Sequence, residues 1–353
     1  MISYVRIKHI RNHRDSHYSL SPITVLYGNN GVGKTAVLEA IHIALMGTSF
    51  KGTDKDVVQY EKEWYKINLT SNDPKMTREV RYINQKKQFI IDTKISARLG
   101  VKQKFPIILF TPDDLRLISG SPARRRQYID QLLCQIEPHY TGVLRRYERA
   151  LMQRNKLLKA DRPTRDSLFP WNIILSDTGA QIINLRNKYL AILDKSLEAR
   201  YNEVAGSANS VKVLYTHTPT QSTELLGAIE KSFDADVRYH TTTIGPHRHD
   251  FTIRLNHHDA DTTASRGEIR TLILSLKSTE AGMIETVKNI SPVILLDDVY
   301  GELDNERQQM LLVLFRNKQL IITSTHPLQA VPTQTIQIEI ALSQTDSVDS
   351  DQN

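Results

Sequence analysis

The sequence has 353 residues, with 46 Lys and Arg against 39 Asp and Glu, so its formal net charge is +7. This length allows two or three domains with a substantial core, and the basic balance suits a polyanionic partner without identifying one. The sequence has no run of about 18 apolar residues and no signal-peptide pattern at its start, so we expect a cytoplasmic protein with no membrane association. The single cysteine, Cys134, excludes an internal disulfide and a cysteine-rich zinc site, and we expect it to be a small buried side chain.

The first part of the chain predicts β-strands. Its apolar and β-branched runs are short and separated by polar residues, which is typical of strands. The predicted strands are Ile2–Ile10, Ile23–Tyr27, Thr77–Gln85, Phe89–Ile95 and Phe105–Phe110.

A glycine-rich loop follows the second of these strands. Gly28 to Thr35 has the spacing G-x-x-x-x-G-K-[ST], and a helical pattern of apolar residues begins at Thr35. Glycines let backbone N–H groups point at phosphate oxygens, and the helix start adds its positive dipole end. We therefore expect a nucleotide site in which Lys34 reaches the β- and γ-phosphates and the Thr35 hydroxyl ligates Mg²⁺. The expected loop consists of Gly28, Asn29, Asn30, Gly31, Val32, Gly33, Lys34 and Thr35.

From Pro112 to about Gly206 the pattern changes to helix. One of these helices, His139–Ala160, is rich in cations. Two interpretations fit such a run: a solvated helix face, or a surface for a polyanion. The cations along it are Arg145, Arg146, Arg149, Arg154, Lys156 and Lys159.

Three adjacent arginines, Arg124, Arg125 and Arg126, lie at the start of another predicted helix. The helix dipole disfavours cations at that end, so an anion is expected to compensate them. The anion is either an intramolecular carboxylate, such as Asp113 or Asp114, or the backbone of DNA.

Two further features occur near the C-terminus. The apolar strand pattern Pro292–Leu296 ends in Asp297 and Asp298, and we expect Asp297 to hold the Mg²⁺ shell and Asp298 to polarise the attacking water. Before it, Ser265 and Gly267 stand at the start of a long predicted helix. Ser265 is either a simple helix cap or part of a second phosphate site, which serves the nucleotide of a partner subunit.

The order of these motifs is the one found in ABC-type ATPase heads. In addition, five segments resemble, in the right order, the successive motifs of the bacterial RecF family of DNA repair and replication ATPases. They are "GNNGVGKTAVLEAIH", "TPDDLRLISGSPARRRQYID", "IGPHRHDF", "SRGEIRTLILSLK" and "VILLDDVYGELD", and the similarity covers most of residues 1–327. The resemblance implies an ATP-dependent homodimer that binds gapped DNA or single-strand/double-strand junctions and helps recombinase loading together with recombination mediator proteins.

The resemblance also implies roles for individual residues. Lys34 and Thr35 take the Walker A roles and Asp297 and Asp298 the Walker B roles. Ser265, Arg266 and Gly267 form the signature, and Asp304 belongs to a loop at the dimer interface. His326 is either a γ-phosphate sensor or an ordinary histidine at a strand end.

The sequence departs from the RecF pattern at two positions. Glu268 replaces the usual Gln and Gly301 replaces a common Ser. Both departures bear on hydrolysis in the dimer rather than on nucleotide binding. The cluster His247, Arg248 and Asp250 has no repeated metal-ligand spacing, so we expect it to have a structural or interface role.

These observations predict a mixed α/β fold, an ABC-type P-loop ATPase head with an inserted helical arm. The expected boundaries are 1–111 for the N-terminal part of the head, 112–206 for the arm, 207–342 for the C-terminal part of the head and 343–353 for a disordered acidic tail. The expected function is a slow, DNA-stimulated ATPase that acts on DNA. The alternatives are a DNA clamp with negligible hydrolysis and an ATPase subunit of another ABC-type assembly, such as a transporter.

Overall fold

A computed structural model describes residues 1–72, 74–160, 163–216, 220–329 and 331–341. The chain divides into two compact units. The first comprises Met1–Pro112 with Ile290–Asn353, and the second is Asp113–Asn289. The predicted acidic tail, 343–353, lies outside the described residues.

The elements are named in chain order. The first segment contains β1 (Ile2–Ile10), β2 (His13–Ser19), β3 (Ile23–Tyr27), α1 (Lys34–Met46), α2 (Asp54–Val57), β4 (Trp64–Asn72), β5 (Lys75–Ile83), β6 (Lys86–Ile91), β7 (Lys94–Ser96) and β8 (Ile107–Phe110). The second unit contains α3 (Pro122–Ile136), α4 (Tyr140–Leu158), α5 (Arg165–Ala205), β9 (Val211–Thr216), α6 (Ser222–Lys231), α7 (Phe233–Tyr239), β10 (Asp250–Leu255), β11 (His258–Asp259), α8 (Ala260–Thr263) and α9 (Arg266–Lys288). The last segment contains β12 (Val293–Leu296), α10 (Asn305–Leu314), β13 (Leu320–Ser324) and β14 (Thr335–Glu339).

The first unit has two sheets. One is antiparallel with the strand order β2-β1-β4-β5-β6-β7, and its strands alternate between buried and exposed side chains. The other is parallel with the order β14-β3-β13-β12-β8, and its central strands are buried along nearly their whole length. Helix α1 packs against strands of both sheets. A parallel sheet with helical cover explains the continuous apolar runs of β3, β12 and β13.

The second unit is mainly helical. Its longest helix, α5, has 41 residues and packs against α4, α6, α9 and β9. Because an α-helix rises about 1.5 Å per residue, α5 is about 60 Å long. A three-stranded antiparallel sheet with the order β11-β10-β9 completes this unit.

A buried ion pair joins four segments of the second unit. Arg154 Nη1 lies 2.7 Å from Asp236 Oδ2, and both side chains are 0% exposed. The same guanidinium donates to Asn172 Oδ1 at 2.7 Å and to Thr242 Oγ1 at 2.8 Å. This cation was predicted to lie on the basic surface of its helix, but it is an interior group that ties α4 to α5, α7 and the following loop.

The boundary between the arm and the C-terminal part of the head differs from the expected one. The predicted arm ends at Gly206, whereas the second unit continues to Asn289 and includes β9, β10 and α9. The reason is the length of α5, against which both β9 and α9 pack. The segment 207–289, which we expected in the head, therefore belongs with the arm helices.

Two simpler expectations concern burial and membranes. Cys134 in α3 is half-buried, and not fully buried as predicted. Among the described residues, no helix is long and apolar enough to cross a membrane.

Candidate nucleotide-binding site

The site lies where parallel strands of the first unit end. β3 runs parallel to β13, with Tyr27 opposite Ser324, and the Gly28 N–H donates to the Ser324 carbonyl at 3.3 Å. On the far side of β13, the Asp297 N–H donates to the Phe110 carbonyl at 2.9 Å. The loop after β3, the end of β12 and the end of β13 therefore share one edge, which is where open α/β sheets bind ligands.

The loop from Gly28 to Lys34 needs its glycines. Gly28, Gly31 and Gly33 have φ values of 146°, 83° and 107°, which side chains rarely adopt. A Cβ at Gly28 would clash with the Ile340 carbonyl, and one at Gly33 would clash with the His13 ring. Helix α1 begins directly after Gly33, and within the described residues no side chain caps it. The N–H groups of Lys34 and Thr35 therefore remain available to an anion, whereas that of Ala36 bonds the Gly33 carbonyl at 2.9 Å.

Lys34 is held inside this loop. The side chain is buried, and its Nζ donates to the carbonyl oxygens of Gly28 at 2.8 Å and Asn29 at 3.0 Å. The loop backbone thus positions the ammonium group over its own concavity. A phosphate oxygen that enters the loop meets a cation that is already in place.

The two ends of the chain meet at Thr35 and Asp297. Thr35 Oγ1 donates to Asp297 Oδ1 at 2.6 Å, although 262 positions separate the residues. Asp297 is buried, and the Thr323 hydroxyl from β13 lies 3.2 Å from its Oδ1. The predicted pairing of the loop with the acidic strand end is therefore present as a direct contact.

Asp298, the next residue, is exposed and has a φ of 54°, a left-handed conformation that Asp and Asn adopt more readily than other side chains. Its N–H donates to Thr323 Oγ1 at 2.8 Å, so the hydroxyl that contacts Asp297 also fixes the backbone of Asp298. His326 follows the end of β13 by two residues and is exposed, with its N–H bonded to Ser324 Oγ at 3.4 Å. Asp298 and His326 thus follow neighbouring strand ends.

Sequence reasoning missed three side chains of the site. Asn12 Nδ2 donates to the Gly31 carbonyl at 2.5 Å, and His13 Nε2 donates to the Gly33 carbonyl at 3.1 Å. Burial lowers the pKa of His13, so the ring is neutral at pH 7 and its Nδ1 accepts from the Ser16 hydroxyl. Asn12 lies in the turn between β1 and β2, His13 is the first residue of β2, and no motif in the linear sequence marks either residue.

The third is Lys51, which lies between α1 and α2. Its Nζ is 3.6 Å from Asp297 Oδ2, and its side chain is 46% exposed. The Asp297 carboxylate thus already has a cation, the Lys51 ammonium group, beside it.

The comparisons with known proteins agree with this geometry. A family profile described as an AAA domain matches residues 4–209. The protein "DNA replication and repair protein RecF" of Acholeplasma laidlawii is 32% identical over 337 residues, which cover 93% of this chain and 94% of the relative. The protein of the same description from Lachnoclostridium phytofermentans is 30% identical and covers 92% of each chain.

The chain belongs to the RecF family of DNA replication and repair proteins.

Solved structures extend the similarity to the fold. A structure described as the recombination mediator protein RecF-ATPrS in the RecFOR pathway has a TM-score of 0.86 and 28% identity, and it covers 96% of both chains. A structure of an Smc head bound to the C-winged helix domain of ScpA has a TM-score of 0.51 at 12% identity, which supports the fold alone. The predicted fold class, an ABC-type P-loop ATPase head with an inserted arm, is confirmed. The RecF family is a family of ATP-binding ATPases, and this chain shares its fold and its loop.

The oxygens at Thr35 and Asp297 fit a magnesium ion, which the RecF family resemblance implies. A hydroxyl and a carboxylate are hard ligands that Mg²⁺ prefers, and one or two such groups with phosphate oxygens complete its usual shell. Lys51 already lies beside the same carboxylate. The residues present are therefore able to hold the ion together with a nucleotide.

The predicted signature lies in the second unit of this RecF-family chain, at the start of α9. Ser265 Oγ accepts from the Glu268 N–H at 3.3 Å, and Glu268 Oε2 accepts from the Ser265 N–H at 2.7 Å. This reciprocal pair is a capping box. Glu268, a departure from the family pattern, is therefore the partner of Ser265, and the Ser265 N–H lowers its pKa. Ser265 and Arg266 are exposed, and Gly267 is partly buried.

The three predicted DNA-binding arginines have intramolecular partners. Arg125 is buried and pairs with Asp250, with Nη2 at 2.7 Å from Oδ2, so its side chain is directed into the protein. Arg124 pairs with Asp113 at 3.3 Å, and Arg126 donates to the His249 carbonyl at 2.8 Å. The expectation of DNA contact is thus corrected for Arg125, because Asp250 already compensates its charge.

The polar cluster around His247 is built into the same unit. His247 Nδ1 lies 2.5 Å from the Tyr147 hydroxyl, and its Nε2 lies 3.0 Å from the Thr242 carbonyl. Burial lowers the pKa of His247 to about 4, so the ring is neutral. Arg248 donates to the same Thr242 carbonyl at 3.1 Å. These contacts hold the loop before β10 against α4.

Proposed function

We propose that this chain is an ATP-driven DNA-binding protein of recombinational repair and replication. It dimerises on ATP, binds gapped DNA or single-strand/double-strand junctions, and works with recombination mediator proteins to load a recombinase. Hydrolysis is slow and is stimulated by DNA. The observation that carries the proposal is the 2.6 Å contact between Thr35 and Asp297, which brings the two halves of an ATPase site together.

The residues of the site divide the work of hydrolysis. The N–H groups from Gly28 to Thr35 hold the phosphates, and Lys34 exchanges its contacts with two loop carbonyls for phosphate oxygens. Thr35 and Asp297 hold Mg²⁺, which neutralises charge on the β- and γ-phosphates when it is bound. Asp298 accepts the proton of the attacking water, and His326 contacts the γ-phosphate. Replacing Asp298 by Asn keeps the shape and removes the proton acceptor, so ATP binding persists and the turnover falls by about 10²–10⁴-fold.

Support for a dimer comes from α9. A phosphate already held by the loop at Gly28–Thr35 has little need of a second helix start in the same subunit. Ser265, Arg266 and Gly267 therefore complete the nucleotide site of a second copy. The exposure of Ser265 and Arg266 agrees with this role.

The DNA contact uses cations of the second unit. Arg124 and Arg126 retain donors for phosphate oxygens in addition to their intramolecular contacts, and the net charge of +7 favours such a partner. Replacing both by Ala is expected to weaken binding to all DNA sequences alike and to lower the log–log salt slope by about 0.9 per lost contact with duplex DNA. A loss that is specific for one DNA sequence contradicts this role.

The deciding experiment measures molecular mass in solution with ADP, ATP and a non-hydrolysable analogue, each with and without gapped DNA. Dimers that form only with ATP or its analogue support the proposal, and a mass that is the same in all conditions overturns it. Mixing Lys34→Ala with Ser265→Arg sharpens the test. A mixed dimer contains one site with both lesions and one with neither, so activity recovers in part.

The second candidate is a DNA clamp with negligible hydrolysis. It is favoured by Asp298, because Asp is a shorter base than the Glu that most ABC heads use. Steady-state ATP turnover with and without DNA separates the two. Turnover that rises with DNA and falls in Asp298→Asn supports the ATPase, and turnover at the background rate under both conditions supports the clamp.

A further inference from the structure

A groove on the second unit lies between two of its helices. It is open to solvent, has a volume of about 400 Å³, and is lined by Gly142, Arg145, Arg146 and Arg149 of α4 and by Trp171 and Ile174 of α5. The α4 residues are three, four and seven positions after Gly142, so they share one face of the helix. The volume falls in the range of about 300–1,000 Å³ that is usual for small-molecule sites.

The charge of this groove is compensated only in part from within the chain, because Glu148 of α4 interacts electrostatically with Arg145. Arg145, Arg146 and Arg149 are exposed, and within the described ranges none of them forms an ion pair. The arginines at 124–126 differ, since each of those has an intramolecular partner. None of the described residues that line the groove is acidic. The groove is therefore a cationic surface whose three arginines form no ion pair within the described part of the chain.

The rest of the lining is flat and partly apolar. Trp171 is half-buried in the opposite wall, one helical turn before Ile174. At Gly142 an added Cβ would meet nothing within 4 Å, so the glycine leaves open space beside the arginines. A cationic row that faces an indole across an open channel is the combination that binds single-stranded nucleic acid, in which phosphates meet the cations and bases stack on the aromatic ring.

We propose that this groove, between α4 and α5, binds a stretch of single-stranded DNA. Arg145, Arg146 and Arg149 contact successive phosphates, and an unpaired base stacks on Trp171. Duplex DNA fits less well, because its bases are stacked on each other and cannot reach an indole. The inference rests on the proposed function, and it assigns the single-stranded side of a junction to a specific surface.

Tryptophan fluorescence tests the stacking directly. The chain has two tryptophans, Trp64 in β4 and Trp171. Trp64 packs edge-on against His9 at 4.3 Å, so Trp64→Phe keeps an aromatic ring there and leaves Trp171 as the reporter. Titration of this variant with oligodeoxythymidylate is expected to quench the emission, whereas the matched duplex quenches it little. Equal quenching by both, or by neither, overturns the proposal.

Charge-matched variants test the arginines. Arg145→Gln with Arg149→Gln is expected to lower the log–log salt slope for oligodeoxythymidylate by about 1.4, or about 0.7 per contact. The control removes the same charge from the same unit at two exposed lysines, Lys195→Gln with Lys231→Gln, and is expected to change the slope far less. Equal changes in the two variants mean that general charge, and not the groove, binds the strand.

Substitutions at the aromatic ring separate stacking from folding. Trp171→Ala is expected to weaken binding of oligodeoxythymidylate on the order of tenfold, and Trp171→Phe far less, because phenylalanine still offers a ring face. Gly142→Leu fills the groove without changing its charge and is expected to weaken binding as well. If Trp171→Ala remains folded and binds as the parent does, the proposal is wrong.

The outcome is distinguishable from failure of the proposed function. If the parent dimerises on ATP and binds gapped DNA, but the groove variants bind like their controls, only the groove assignment fails. If the parent binds no DNA with ATP, the proposed function fails first. Quenching by polyglutamate as strong as that by oligodeoxythymidylate makes the groove a peptide site and overturns the DNA assignment.

Discussion

Two helix starts in this chain were both expected from the sequence to bind phosphate, but their structures differ. Helix α1 begins at Lys34 after a left-handed glycine, and within the described residues no side chain caps it. Helix α9 begins at Arg266 after Ser265, and its capping box is complete. At α9 the capping box occupies the N–H groups of Ser265 and Glu268, whereas within the described residues no side chain occupies an N–H group at the start of α1.

The two helix starts therefore differ in which N–H donors a side chain already occupies, and the spacing of the residues alone does not predict that difference. At α1 the glycines remove side chains from the concavity, and Lys34 adds a cation. At α9 the Glu268 carboxylate occupies the positive end of the helix. In the proposed dimer, a partner's phosphate at Ser265 competes with Glu268 or approaches beside it, so we expect α9 to bind phosphate more weakly than α1.

The largest expected effect is at α1. Lys34→Ala removes the cation from the loop, and because hydrogen bonds to charged groups contribute about 1.5–3 kcal/mol each, ATP affinity is expected to fall by about 100-fold. Calorimetric titration with ATP measures the affinity, and an unchanged thermal unfolding temperature shows that the fold is intact. A folded variant with the parental affinity removes Lys34 from the site.

The next effect is at α9 and concerns the dimer. Ser265→Arg places a large side chain at the exposed helix start, so ATP-induced dimers and hydrolysis are expected to be lost while monomeric ATP binding persists. Ser265→Ala is the matched control, since it removes the same cap, at a cost of about 0.5–2 kcal/mol of stability, without adding bulk. Light scattering with ATP measures the dimer. If Ser265→Arg dimerises like the parent, Ser265 is an ordinary helix cap.

A smaller effect is expected at Glu268. Glu268→Gln keeps a capping-box side chain and removes the negative charge, so dimerisation with ATP is expected to tighten by a few-fold. The substitution also removes the attraction between the carboxylate and the helix dipole. That attraction contributes about 0.3–1 kcal/mol to stability before solvent screening reduces it. The direction in which stability changes with pH follows from the lowered pKa of Glu268. Its stabilisation is present above the ordinary Glu pKa of about 4.3 and disappears as the pH falls through the lower, folded value.

Chemical denaturation from pH 7 to pH 2 measures the effect on stability. The parent and Glu268→Gln are expected to converge in stability at the acid end. A gap that is constant over the whole range means that the carboxylate charge does not act on the helix start.

An effect of similar size is expected at His13, beneath the loop. His13→Gln is expected to weaken ATP binding by roughly fivefold, the equivalent of one hydrogen bond of about 1 kcal/mol, because the contact with the Gly33 carbonyl is loosened. Burial lowers the pKa of His13 in the folded protein. Stability is therefore expected to fall as the pH drops below the ordinary His value of about 6.5, and His13→Gln loses this part of the pH dependence. Identical pH profiles for the two proteins contradict this assignment.

Local patterns explain why part of the site was predictable. The loop from Gly28 to Thr35 and the pair Asp297 and Asp298 are contiguous motifs, and each follows an apolar strand whose end fixes its position. The chain order of these motifs was then enough to predict that the loop and the acidic strand end belong to one site. The long helix α9 was predictable in the same way, from its apolar spacing and its serine cap.

Side chains that act through tertiary packing were not predictable. Asn12 and His13 reach the loop only because β1 and β2 form a hairpin beside α1, and Lys51 reaches Asp297 from a loop without a motif. Arg125 finds Asp250 across 125 positions, which no local pattern specifies. The Gly206 boundary failed for the same reason, since a change of pattern marks the end of α5 but not the elements that pack along it.

The buried pair of Arg154 and Asp236 limits how this chain can be divided. A truncated arm that stops at Gly206 keeps Arg154 but loses both Asp236 and Thr242. The charge of Arg154 then remains buried without its partner carboxylate. Stranding one partner of a buried pair costs about 3–5 kcal/mol, which is a large share of the stability of a typical domain. A shortened version of the unit Asp113–Asn289 must therefore keep Arg154, Asp236 and Thr242 together.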